Sequence, residues 1–234
     1  MAQLLTRYFG IIQPVNPILK RTITGLAVGA AVIAAVLLAP PCAIMPAVSC
    51  LILLAIAEFA QLLLKKLPVA SCLTWLCLLV GAVVIACGLW ALVEIALRHG
   101  NVILLYVVAI IKFSDVGGFA FGISSSKFMK GGNHKLCPSI SPGKSWEGLL
   151  GSLVFSCAVS CVFLPFTGFP FGKALAFGVA AALLDTAGDL VESKFKRWVG
   201  VKDSSTMKIT NGMGGVLDML DSLLIAPAVL LPFI

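Results

Sequence analysis

Charged residues are scarce: Asp, Glu, Lys and Arg together make up 12% of the 234 residues, about half the share of a soluble domain. With 60% hydrophobic residues and a mean hydropathy of +1.08, there is too little polar surface for a water-soluble globule, a disordered chain or a soluble nucleic-acid binder. Histidine is nearly absent, and His99 and His134 stand alone, without a metal partner at helical spacing. Eight cysteines are present, but no Cys-x-x-Cys pair or Cys/His cluster occurs, so neither a zinc site nor a disulfide framework is expected. All but Cys137 lie in apolar stretches and are expected to be small buried hydrophobes. The formal charge of +7 is therefore read against a membrane.

Long charge-free windows are what the sequence has instead. A bilayer core needs roughly 20 apolar residues per helix. Residues 22–57 carry no charge and are cut by Pro40-Pro41, which predicts two spans joined by a tight turn. Residues 67–93 and 148–172 predict one span each. Weaker windows lie at about 101–122, 170–188 and 216–234, interrupted by Lys112 and Asp115, by Lys173 and Asp185, and by Asp218 and Asp221. The expected fold is all-α: a polytopic membrane protein of about seven spans, with N-terminal helices over 1–100 and a region carrying the polar motifs over 101–234. No cleavable signal peptide is expected, because the apolar run after Lys20-Arg21 is too long. With the N-terminus cytoplasmic, all of the 17 basic residues except Arg98 and Lys173 fall on or near the cytoplasmic side, as the positive-inside rule requires. Gly25, Gly29 and Ala30 would permit close contact with another helix, so a homodimer stays open.

The acidic residues are not spread evenly. Six of ten, namely Asp185, Asp189, Glu192, Asp203, Asp218 and Asp221, fall at the expected cytoplasmic ends of two spans and the loop between them. Asp185, Asp189 and Glu192 share a helix face at i, i+4, i+7, and Asp218 and Asp221 do so at i, i+3. Carboxylates at membrane depth are costly unless paired, metal-bound or wet. An ion-pair cap against Lys194, Lys196, Arg197 and Lys202 accounts for them as structure. Repeated hard oxygen ligands on two helices also suit a divalent cation serving phosphate chemistry.

Two further segments suit phosphate. In Ser-Pro-Gly-Lys-Ser-Trp-Glu-Gly (141–148), Ser141-Pro142-Gly143 is expected to turn, Lys144 to offer a point charge, and Ser145 to Glu147 to begin a helix whose N-terminus favours anions. The spacing is not that of a P-loop. In Asn-Gly-Met-Gly-Gly (211–215), glycines permit close approach of backbone to ligand.

The segments GDLVESKFKRWVGVKDSS (188–205) and GMGGVLDMLDS (212–222) resemble the C-terminal signature of the phosphatidate cytidylyltransferase (CDP-diacylglycerol synthase) family. FSDVGGFAFG (113–122) and KLCPSISPGKSWEGLLG (135–151) resemble its upstream segments, in the same order. The resemblance implies a multi-span helical enzyme at the cytoplasmic face of a membrane, here a bacterial inner membrane. It would take CTP and phosphatidate to CDP-diacylglycerol and pyrophosphate with Mg²⁺, without nucleic acid. It puts metal ligands at Asp189, Asp218 and Asp221, catalytic groups at Asp189, Asp218, Lys202, Asp203 and Lys144, and substrate contacts at Asp115, Lys144, Glu147, Ser193, Lys196, Arg197, Gly214 and Gly215. Met213 and Met219 stand where the family typically has basic residues. The alternatives are an impaired homologue, a cytidylyltransferase for a different lipid phosphate, and an ion-coupled transporter relaying through Asp115, Asp185 and Asp189; no internal repeat of the polar motifs supports the transporter.

Overall fold

The computed structural model describes residues 33–34, 36–38, 40–128, 132–201 and 215–234. Lys202, Asp203, Met213 and Gly214, and most of the first expected span, lie outside the described residues. The elements from Pro40 to Ile234 pack as one unit.

Pro40-Pro41 behaves as its chemistry dictates. Pro40 is extended and Pro41 occupies the first helical position, where a missing N–H costs nothing. Helix α1 (Pro41–Lys66) follows and ends on Lys65 and Lys66, cations suited to the negative end of the helix dipole. The turn after it is tied by Thr74, whose Oγ1 donates to the Pro68 carbonyl at 2.7 Å, and by the Trp75 indole, which donates to the Val69 carbonyl at 3.0 Å. Helix α2 (Cys72–His99) stops at Gly100, whose φ of 85° is left-handed, and α3 (Asn101–Phe128) begins at once. On α2, Leu76, Leu79, Val80 and Val83 point outward. These apolar faces are what lipid, rather than water, would solvate.

Between α3 and the next long helix lies a small hairpin, β1 (Lys135–Cys137) paired antiparallel with β2 (Ser141–Ser145). Here the expected turn is corrected: Pro138–Ile140 makes it, and Ser141-Pro142-Gly143 is strand. Helix α4 (Trp146–Val162) is capped by Ser145, whose hydroxyl accepts from the Gly148 N–H at 3.1 Å.

The expected span over 148–172 is also corrected. Helix α4 ends after 17 residues, about 26 Å. Pro165 starts the one-turn helix α5 (Leu164–Thr167), and left-handed Gly168 ends it. Helix α6 (Phe171–Val199) runs 29 residues, well past the expected end at 188; in its second half Asp189 pairs with Lys144 and Glu192 with Lys196. The window 216–234 is not one regular helix. It comprises α7 (Val216–Leu220), a 3-10 turn (Asp221–Leu223), α8 (Ala226–Leu230), with Pro227 in its first turn, and a second 3-10 turn (Leu231–Phe233).

Among the described residues, five helical segments are long and apolar enough to cross a membrane, with α4 a shorter apolar helix. The chain is therefore a multi-pass, helical membrane protein. The cysteines are free, but Cys42, Cys50, Cys72 and Cys87 are exposed rather than buried. An apolar thiol needs no protein interior when the surroundings are themselves apolar.

Helices α3 and α4 approach closely at glycine. A Cβ on Gly117 would lie 2.3 Å from the Gly151 carbonyl oxygen, and one on Gly151 would lie 2.4 Å from that of Gly117, so neither position tolerates a side chain without displacement. A row of serines on α4 flanks this crossing. Ser152 donates to the Ser114 carbonyl at 2.9 Å, Ser156 to that of Ile110 at 3.0 Å, and Ser160 to that of Ala174 at 2.6 Å. Buried Tyr106 shares a 2.8 Å hydrogen bond with the Ser160 hydroxyl. Small residues and short hydroxyls replace the hydrophobic effect as the glue between helices in lipid.

Candidate active site

The tight crossing brings the middle of α3 against the middle of α6 and the hairpin. Asp115 on α3 and Asp185 and Asp189 on α6 each turn a carboxylate oxygen inward, and these oxygens lie within 4.8 Å of one another. Asp185 is 2% exposed. One of its oxygens accepts from the Ser114 hydroxyl at 2.6 Å, and Ser114 is in turn held by Ser152 through its carbonyl. Lys144 of β2 reaches across and forms an ion pair with Asp189, while Lys112 lies 3.4 Å from Asp115. A cleft of about 320 Å³ opens here, lined by all three aspartates, Lys144, Ser152 and the glycine-rich start of α4.

The donor set fits a hard divalent cation. Oδ1 of Asp185 and Oδ1 of Asp189 are buried and have no hydrogen-bond partner among the described residues. Buried carboxylate oxygens without donors are expensive, and an oxygen-seeking cation would satisfy them.

A second polar centre sits near the C-terminal end of α6. Lys196 lies 2.7 Å from Glu192 and 2.8 Å from Asp218, and all three side chains are largely buried. The other oxygen of Asp218 accepts from the Gly215 N–H at 3.0 Å. The short helix bearing Asp218 is held from three sides. Buried Glu58 of α1 accepts from the Leu217 N–H at 2.8 Å, Lys196 grips Asp218, and Lys112 donates to the Ser222 hydroxyl at 2.5 Å and to the Met219 carbonyl at 3.4 Å. Lys112 thus touches both Asp115 and the C-terminal segment.

Of the residues expected from sequence, Asp189, Lys144 and Asp115 come together in the cleft. Asp218 and Lys196 pair with each other beside Glu192 instead of entering the Asp115–Asp185–Asp189 group. Asp221 accepts from the Ser222 N–H at 2.6 Å and lines a separate, mostly apolar cleft of about 170 Å³ with Phe59, Val191 and Phe195. Gly215 precedes α7 as its N-cap. Ser193 is half-buried on α6, and Arg197 is exposed and donates to the Val201 carbonyl at 3.4 Å.

Glu147 faces His134 at 2.7 Å. The imidazole, with the backbone N–H of the same residue, holds the Glu147 carboxyl down at about 2. His134, expected to stand alone, is therefore a tether for the hairpin that carries Lys144. The sequence pattern gives Asp185 a role only in the transporter alternative, beside Asp115 and Asp189, and assigns none to Ser114, Ser152, Lys112 or Glu58. The small-residue spacing of α4 was the only available signal for Ser152.

Residues 69–234 match the model of the cytidylyltransferase family. Among curated proteins, the chain is 39% identical over 136 residues to a phosphatidate cytidylyltransferase of Haemophilus influenzae, covering 53% of this chain and 43% of that protein. It is 43% identical over 121 residues to the Staphylococcus aureus protein of the same name, covering 51% and 44%. The corresponding Mycobacterium bovis protein is 42% identical over 115 residues, covering 47% and 34%. The matched part spans less than half the length of each relative.

Proposed function

The chain belongs to the cytidylyltransferase family, and from that premise we propose that it transfers the cytidylyl group of CTP to phosphatidate, giving CDP-diacylglycerol and pyrophosphate. The observation that carries this reading is the convergence of Asp115, Asp185 and Asp189 with Lys144 on one cleft. In the reaction a phosphate oxygen of the lipid attacks the α-phosphorus of CTP. A new O–P bond forms, the α–β phosphoanhydride breaks, and the bond's electrons leave with pyrophosphate. Little covalent work is asked of the protein, so positioning and charge compensation carry the catalysis.

Asp189, with Asp185 and Asp115, would hold Mg²⁺, which supplies charge neutralisation at phosphate oxygens. Lys144 exchanges its contact with Asp189 for the triphosphate as CTP enters. At the start of α4 the Trp146 and Gly148 N–H groups are spent on the His134 carbonyl and the Ser145 hydroxyl, so Lys144 is the anion-binding group that this segment offers the cleft. Lys112 compensates Asp115 and fixes the Asp218–Ser222 segment against α3. Asp218 serves through its ion cluster with Lys196 and Glu192, while roles for Lys202, Asp203 and Gly214, outside the described residues, rest on the family resemblance alone. The chemistry is assigned to residues 101–234, with the preceding helices as support.

CTP is water-soluble and phosphatidate is anchored in the leaflet, so the cleft belongs at the membrane boundary. The positive-inside rule favours the cytoplasmic face and a cytoplasmic N-terminus, and the same proposal takes about seven spans in a bacterial inner membrane. The test is CTP-dependent pyrophosphate release from purified protein, with and without phosphatidate and Mg²⁺, beside Asp189→Asn. Turnover that requires lipid and Mg²⁺ and falls by orders of magnitude in the variant is expected. Turnover with another lipid phosphate alone would reassign the substrate, and an Asp189→Asn protein of full activity would refute the site.

A further inference from the structure

Glu58 is 1% exposed, sits on α1 outside the family-matched residues 69–234, and has no part in the cleft. We propose that it is a positioning residue for the Asp218 turn: its carboxylate, arriving from α1, fixes the start of α7 so that Asp218 meets Lys196. The inference rests on the reading that Asp218 serves the transfer site.

The geometry is specific. Glu58 Oε2 accepts from the Leu217 N–H at 2.8 Å, immediately before Asp218 in the chain. Gly215, the N-cap, has no side chain with which to satisfy the first N–H groups of α7. Asp218 turns back to the N-cap's own N–H, that of Gly215, at 3.0 Å, and Glu58 accepts from the Leu217 N–H within the first turn. A helix of five residues is too short to hold itself, so its orientation comes from outside. The neighbouring residue on α1 braces the other half of the contact. Phe59 stacks on Phe195 with ring centroids 4.9 Å apart, next to Lys196, the residue that grips Asp218. Two consecutive residues of α1 therefore set both partners of the Lys196–Asp218 pair. A carboxylate is a costly means of capping at this depth, and an ordinary apolar contact would seat α7 without fixing its rotation. The hydrogen bond to the Leu217 N–H is directional and does fix it.

Glu58→Met keeps the side chain's length and removes the acceptor, whereas Glu58→Gln keeps an acceptor oxygen without the charge. Amide exchange of the intact chain in detergent reads the turn directly. Glu58→Met is expected to exchange at least tenfold faster over 216–220, with α2 and α4 unchanged, and Glu58→Gln to stay within threefold of the parent. In CTP-dependent pyrophosphate release per folded molecule, Glu58→Met is expected to lose at least tenfold in kcat with KM for CTP within threefold, and Glu58→Gln to restore most of it. Unchanged exchange at 216–220 in Glu58→Met overturns the inference whatever the activity. Faster exchange with normal kcat overturns the link to the reaction. If the parent releases no pyrophosphate, the functional reading fails while exchange still decides what Glu58 holds. Should Glu58→Met not assemble, Glu58→Ala replaces it. If neither assembles, Glu58 supports the whole bundle rather than one turn, and the inference falls.

Discussion

Placing one methyl group at the α3–α4 crossing tests how the fold builds the site. In Gly151→Ala the new Cβ would lie 2.4 Å from the Gly117 carbonyl oxygen and 2.6 Å from the Phe121 Cβ. Relaxed contact needs about 3.5 Å, so the helices must part by roughly 1 Å. The flanking bonds from Ser152 and Ser156, 2.9 and 3.0 Å in the parent, would then stretch beyond useful length. Overpacking at about 1–3 kcal/mol and two interhelical hydrogen bonds at about 0.6 kcal/mol each together give a loss of roughly 2–4 kcal/mol. The damage reaches the cleft, because Ser114 and Asp115 lie within one turn of Gly117 and Ser114 holds Asp185 at 2.6 Å. Misplacing a reacting group by about 1 Å costs on the order of a hundredfold in rate. SDS titration in mixed micelles measures the first effect and CTP-dependent pyrophosphate release the second. Gly172→Ala is the control, since a Cβ there meets nothing within 4 Å, and it should stay within about 0.5 kcal/mol of the parent. A Gly151→Ala protein with parental stability and turnover would refute the argument that this contact sets the cleft.

Lys196→Met leaves Glu192 and Asp218 facing each other without their shared cation, and an SDS titration should show a loss of about 3 kcal/mol; a loss below about 1 kcal/mol would mean that water solvates the cluster. Ser160→Ala strands the Tyr106 hydroxyl and should cost about 1–3 kcal/mol. Tyr106→Phe, which leaves Ser160 bonded to Ala174, should cost only about 0.6 kcal/mol, so equal losses would contradict the assigned bonds. Glu147 is held at about 2, below its ordinary 4.5, so its stabilisation of the hairpin is complete above pH 4.5 and is lost as pH falls towards 2. Amide exchange over 135–145, corrected for intrinsic rate, should rise across that window, and His134→Ala should remove most of the dependence.

Several parts of the fold were legible because they follow from local chemistry. Pro40-Pro41 marks the start of α1, since proline at the first helical position gives up no hydrogen bond. Ser145 caps α4 as its side chain allows. Lys144 and Asp189 stand out by their chemistry and Asp115 through the resemblance, yet nothing in their spacing joins them, because Asp115 and Asp189 are separated by half of α3, the hairpin, α4, α5 and most of α6. Helical periodicity put Asp185, Asp189 and Glu192 on one face, but the structure divides that face, with the two aspartates in the cleft and Glu192 in the Lys196 cluster. Hydropathy could not foresee that α4 stops at Val162, where Pro165 and Gly168 break a run that remains apolar throughout.

The sequence by itself determined the solvent of this protein, its helical elements and the family to which its polar motifs belong, because hydropathy, helix caps and linear motifs act over a few residues. Tertiary structure alone decided which carboxylates share a cation-sized space, which are already neutralised by lysine, and that Glu58 reaches the Asp218 turn. The first depends on how closely α3 and α4 approach at Gly117 and Gly151, and the others on which groups of α1, α6 and α7 meet. Coulomb and hydrogen-bond energies depend on separation in space, which the order of residues along the chain does not record.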